Sequence, residues 1–211
     1  MTYHNQLRLF FDTAGFLPSS TNAATVTTPR KRSPKKRDNR PISLSYVADA
    51  DEHHPQPLST EKRFFLQLMR AQLQCLVQHQ TSTKDLLTFV SKGWDTTCAL
   101  SETIRRLHLE YPIDVSILSD ERLGIDISML LPKVQTKVLL SFEVGASIAE
   151  GPGPLLQTCT DVKGKVVYGE QYKEGKMGEF IKARIGGEMS GWEDAVRDLR
   201  ARLVATGRKG T

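Results

Sequence analysis

The sequence holds little that would support chemistry at a buried site. Its three cysteines, Cys75, Cys98 and Cys159, are too few and too scattered for a disulfide framework or a zinc site. Their scarcity fits a reducing compartment, cytosol or nucleus. Cys75 and Cys98 lie among apolar neighbours at helical spacing, which predicts two small core residues. No apolar run approaches the roughly 18 residues of a membrane span, so no membrane partner is expected. Met1-Thr2-Tyr3-His4 lacks the basic start, apolar stretch and small-residue cleavage site of a secretory signal.

Catalytic and metal motifs are missing as well. His53 and His54 are adjacent, so their side chains seldom converge on one ion, and no carboxylate or cysteine stands at a ligand spacing. Gly175-x-x-Gly178 is too short to cradle a phosphate and reads as a weak helix start. Asp120-Glu121 falls where a hairpin turn is expected, so it reads as a solvated turn rather than an acid/base pair. Cys159 has no base in any recognisable motif to activate it. Neither an enzyme, a cofactor, a metal nor a small-molecule substrate is expected.

What the sequence does have is a concentrated charge. Of 211 residues, 25% are charged and 39% belong to the apolar set, with a net charge of +5. The seven Lys and Arg from Arg30 to Arg40, less Asp38, sum to +6, which leaves the remainder of the chain at about −1. They sit in a low-complexity Ser/Thr/Pro/Lys/Arg stretch, about 19–40, whose composition predicts a disordered loop. Arg30, Lys31, Arg32, Lys35, Lys36 and Arg37 form a candidate nuclear import signal. Thr28 and Ser33 each precede a proline with basic residues beyond, as cyclin-dependent kinases prefer. Two phosphates there would remove roughly 3 to 4 units of positive charge. The same run gives an alternative reading, a nuclear nucleic-acid-associated protein. Direct nucleic-acid contact by the fold is not expected, since its charge is near neutral.

Periodicity supplies the architecture. Leu7, Leu9 and Phe11 predict a short strand, and Ile42, Leu44 and Tyr46 a second. A helix beginning near Ser59-Thr60 buries Phe65, Met69, Leu73 and Leu76, flanked by Leu66 and Val77. From near Thr83, a long helix carries the stripe Leu86, Leu87, Val90, Trp94, Cys98, Ile104 and Leu107, stopping at Tyr111-Pro112. The period then changes to two. Val115 and Ile117, then Ile125, Ile127 and Met129, then Val138, Leu140, Phe142 and Val144 mark the greasy face of an antiparallel meander. A core of Leu87, Val90, Trp94 and Ile104 against Val115, Ile127, Leu140 and Phe142 is expected. Leu118, Leu130 and Leu139 fall on the otherwise polar face and are candidate partner-binding residues. A fourth strand lies between Leu155 and Tyr168, with a bulge or break expected at Lys163-Gly164-Lys165. Met177, Phe180, Ile181 and Ile185, stopped by Gly186-Gly187, mark one helix. Trp192, Val196, Leu199 and Leu203 mark the last, ended by Gly207.

Several longer strings carry a resemblance. They are Phe89-Val90-Ser91-Lys92-Gly93-Trp94-Asp95, the run from Asp114 to Ile125, the run from Leu130 to Val138, and Val166-Val167-Tyr168-Gly169-Glu170. Pro41-Ile42-Ser43-Leu44-Ser45-Tyr46 and Glu61-Lys62-Arg63-Phe64-Phe65-Leu66 join them. Together they resemble the C-terminal region of the fungal Spc/Knl (Blinkin-type) kinetochore scaffold. The resemblance implies an α+β fold of tandem RWD units, non-catalytic relatives of the ubiquitin-conjugating fold. Residues 1–82 would form a first unit lacking its first helix, and 83–211 a complete second one. It further implies a nuclear, centromeric module that binds a subunit tail of the MIND (Mis-type) complex. Family members also carry checkpoint-docking repeats, a phosphatase-docking motif and a coiled coil. This sequence has none of them, so checkpoint recruitment is not implied for it. An inactive ubiquitin-conjugating relative would share the fold, but no motif supports one.

Overall fold

The computed structural model describes residues 2–3, 6–13, 16, 41–47, 58–149, 155–169, 172–186 and 191–207. Its strands are β1 (Thr2–Tyr3), β2 (Leu7–Phe10), β3 (Ser43–Tyr46), β4 (Ile113–Ser119), β5 (Arg122–Leu131), β6 (Thr136–Ala149) and β7 (Leu155–Tyr168). Helices α1 (Thr60–Cys75) and α2 (Thr83–His108) lie between β3 and β4, and α3 (Glu174–Ile185) and α4 (Trp192–Gly207) follow β7. The fold is mixed α/β, with a three-stranded antiparallel sheet ordered β1-β2-β3 and a four-stranded one ordered β4-β5-β6-β7. By contacts the chain divides into two compact units: residues 1–57, 66–94 and 148–156, and residues 58–65, 95–147 and 157–211.

In the first unit, alternation along β2 buries Leu7 and Leu9 and leaves Arg8 and Phe10 exposed. Leu9 pairs with the buried Leu44 of β3. The Arg70 guanidinium donates from Nε to the Leu44 carbonyl at 2.7 Å, which fixes α1 to the β3 backbone. Gly93 allows α1 and α2 to meet closely, since a Cβ there would stand 2.7 Å from Met69 Sδ. Trp94, fully buried, has its ring 6.1 Å from that of Tyr46. The N-terminus of α2 is capped by Ser82: the Asp85 amide donates to Ser82 Oγ at 3.1 Å, and that hydroxyl donates to Asp85 Oδ2 at 2.6 Å.

The second unit rests on a ladder of cross-strand apolar pairs. Leu123–Val144, Ile125–Phe142, Ile127–Leu140 and Met129–Val138 all share the inner face, and every member is 0% exposed. Each such side chain contributes about 1.5–3 kcal/mol by leaving water. Trp192 of α4 stacks on Phe142 with ring centroids 4.5 Å apart. Met177, Ile181 and Ile185 of α3, with Val196, Leu199 and Leu203 of α4, complete the layer. Glu61, only 5% exposed, accepts hydrogen bonds from Ser59 Oγ and Ser101 Oγ, the latter at 2.7 Å, so a buried carboxylate ties the start of α1 to α2.

Several expectations need correction. Cys75 is exposed rather than a core residue, because it ends α1 off the buried stripe, while Cys98 is half-buried. Burial pushes the Cys98 thiol pKa up, which makes it a poor nucleophile. Val77 is 40% exposed, lying beyond the end of α1. Val115 is half-buried and Ile117 is 43% exposed, since β4 is a sheet margin that the helices do not fully cover. Leu87, Val90 and Trp94 belong to the first unit rather than to the core around Ile127, Leu140 and Phe142, and Leu87 is only half-buried. No break occurs at Lys163-Gly164-Lys165: β7 is continuous, and Gly164 is there because α3 packs on it, a Cβ at this position falling 2.7 Å from Met177 Cβ. Gly178 serves the same contact from the other side, with 2.5 Å between a Cβ and the Val162 carbonyl oxygen. Strand β1 had no counterpart in the sequence pattern, since two residues carry no period.

Candidate interaction surfaces

On the second unit the helices cover one face of the sheet, and the other is open. Register sets that outer face: Asp114 beside Asp126 beside Ser141, and Ser116 beside Gly124 beside Glu143. A charged cluster occupies its middle. Lys163 Nζ donates to Glu143 Oε1 at 2.8 Å, Arg122 lies 3.8 Å from the same carboxylate, and Lys182 pairs with Asp161. These partners hold the Asp161 carboxyl below its usual range and raise the Lys163 ammonium above its own. Such exposed pairs set register and polarity more than stability.

Of the three sequence-chosen leucines, Leu118 is 53% and Leu130 54% exposed, and Leu139 is half-buried. They do not form one cluster. Leu118 packs over Gly124 at the β4–β5 end, where a Cβ would meet its side chain at 3.1 Å. Leu130 and Leu139 lie at the opposite end, in register with Lys137 and Ser128, and Val167 of β7 is 50% exposed. Thr28, Ser33, Arg30, Lys31, Arg32, Lys35, Lys36 and Arg37 lie outside the described residues, as do His53 and His54.

Two features escaped the sequence reading. Within the first unit an apolar groove of about 490 Å³ runs between the first strands and α2, lined by Tyr3, Leu7, Leu9, Leu87 and Val90 with Lys84 at its side. Leu87 belongs to this wall, which explains its partial exposure. In the second unit, Glu110, Tyr111, Lys137 and Arg200 border a cleft of about 460 Å³. The residues come from α2's end, β6 and α4, so no single period could have exposed the cleft. Among the described residues, no cluster of three or more His, Cys, Asp or Glu could hold a metal ion. No described helix is long and apolar enough to cross a membrane.

The second unit thus has an antiparallel sheet with helices on one face and a mixed charged and apolar surface on the other. Residues 1–101 match the family described as the Knl1 RWD C-terminal domain, and the match supports a C-terminal RWD region of a Knl1-type kinetochore scaffold. This family is a non-catalytic protein-interaction domain of the kinetochore, with the chromosome segregation role and centromeric position that implies. The matched stretch holds β1 to β3, α1 and most of α2; the strings at 114–125, 130–138 and 166–170 lie beyond it. No curated protein and no solved structure matches the chain.

Proposed function

We propose that this chain anchors a kinetochore scaffold to the MIND (Mis-type) complex by binding the tail of one of its subunits. The family match carries this reading, and the open sheet supports it. A margin strand such as β4 presents backbone amides to an incoming strand, Leu118 offers apolar contact beside it, and Leu130 extends the apolar contact at the other end of the outer face. In this reading residues 1–82 form an incomplete first RWD unit. Residues 83–211 form the second, whose order of helix, four strands and two helices is that of one RWD unit. Localisation is nuclear, with the run Arg30 to Arg37 acting as the import signal and phosphorylation of Thr28 and Ser33 weakening it by charge cancellation. The test is the triple change of Leu118, Leu130 and Leu139 to Ser, assayed by circular dichroism and by calorimetry with purified MIND complex. Retained fold with lost binding supports the surface; retained fold with unchanged binding rejects it. For the basic run, fusing residues 19–40 to a cytosolic reporter should draw it into the nucleus, and Lys35→Glu with Lys36→Glu should abolish that.

A further inference from the structure

Two adjoining cavities of the second unit, about 460 and 540 Å³, share Glu110, Tyr111 and Arg200. Four cations line them, Lys133, Lys137, Arg197 and Arg200, against the single carboxylate of Glu110. That carboxylate is already taken: Arg197 Nε donates to Glu110 Oε1 at 2.9 Å and holds its pKa below the usual range. Lys133, Lys137 and Arg200 make no ion pair among the described residues. Arg200 instead lies over the Tyr111 ring, 5.9 Å from its centroid. The surplus positive charge is therefore concentrated in a concave place, where the field is focused and less screened than on a flat surface.

A second observation is independent of that charge. Tyr111 is 4% exposed and its hydroxyl is buried with no hydrogen-bond partner of ordinary geometry, although it lies near enough to Glu110 to help hold that carboxyl down. A hydroxyl held out of water with no well-aligned partner favours an incoming acceptor. Beside it, Leu130 and Tyr168 are 54% and 51% exposed, so the rim is apolar.

We infer that the cleft formed by Tyr111, Ser128, Leu130, Lys137, Tyr168 and Arg200 binds an acidic peptide segment with an apolar side chain next to its carboxylates. The cations and the Tyr111 hydroxyl take the carboxylates; Leu130 and Tyr168 cover the apolar group. A free inorganic anion would leave those two side chains wet. A nucleic acid would favour positive charge spread along a face, whereas here the middle of the sheet carries the acidic Glu143 and Asp161. The inference rests on the reading of this chain as a protein-interaction module, though not on the identity of MIND.

The probe is a fluorescein-labelled peptide of alternating Asp, Leu and Glu, titrated into the full chain by anisotropy. A sequence-matched peptide with Lys for each acid, inorganic phosphate and a single-stranded oligonucleotide serve as competitors. Saturable binding that falls at least tenfold in the Lys137→Glu/Arg200→Glu variant, and weakens with salt, is the expected result. Should that variant lose its fold by circular dichroism, Lys137→Gln with Arg200→Gln carries the same test. No saturable binding, equal binding of the Lys peptide, or full displacement by phosphate or oligonucleotide alone overturns the inference. MIND binding measured on the wild-type chain reports separately: its absence removes the MIND reading, while the peptide titration still decides the cleft.

Discussion

Phe142→Ala is the sharpest perturbation of the second unit. The ring is 0% exposed, pairs with Ile125 across the β5–β6 ladder and stacks on Trp192 at 4.5 Å. Removing it deletes the largest side chain of the β6 inner face, and sheet and helix meet too tightly there to collapse fully into the void. The cost is about 3–5 kcal/mol, the usual range for a buried aromatic truncated to Ala. In a chain of this size each kcal/mol shifts Tm by roughly 2–4 °C, so a drop on the order of 10 °C is expected. Urea unfolding followed by tryptophan fluorescence gives the free energy, and near-UV circular dichroism reports the lost Trp192 stack directly. Phe142→Leu, which keeps most of the volume, should cost less. A loss below about 1 kcal/mol for Phe142→Ala would mean that the inner face of the sheet is misassigned.

Gly178→Ala places a Cβ 2.5 Å from the Val162 carbonyl oxygen and should cost about 1–3 kcal/mol by overpacking, measured by the same unfolding assay. Ser82→Ala removes the hydroxyl that caps α2 and should cost about 0.5–2 kcal/mol, which Ser82→Asp restores in part. Glu102 accepts from Arg105 and Arg106, each at 2.8 Å, and its carboxyl pKa is lowered from 4.5 to about 2. Because the folded carboxyl titrates below the unfolded one, its contribution is complete above about pH 4.5 and is lost as pH falls through about 2. Carbon-detected NMR titration of Glu102 should show that low midpoint, and Glu102→Gln should flatten the pH dependence of stability within that window.

How legible the fold was depended on how many residues shared one environment. The β5 and β6 strands were plain because five alternating positions on each face a common layer, so the period survives. Val115 and Ile117 of β4 have the right alternation for burial but sit at a margin. Alternation reports which face a residue takes, not how much covers it. Gly164 reads as a bulge or break and Gly178 as a weak helix start; both are close-approach positions, and only the opposing element shows that. The exposed leucines Leu118 and Leu130 were visible as exceptions to a period of two. The cationic cleft was not, because Tyr111, Lys137 and Arg200 converge from three elements distant in sequence. The apolar groove hid for the opposite reason: Leu7, Leu9 and Leu87 read as core, and in part they are.

Co-precipitation reads out the proposed protein contact at the kinetochore without any assumption about the docking residues. The tagged chain, incubated with mitotic nuclear extract treated with nuclease, should retain MIND subunits as the most enriched proteins by quantitative mass spectrometry. Retention should fall in the Leu118/Leu130/Leu139→Ser variant. Absence of MIND subunits from the wild-type sample, or retention that disappears on nuclease treatment, would contradict it.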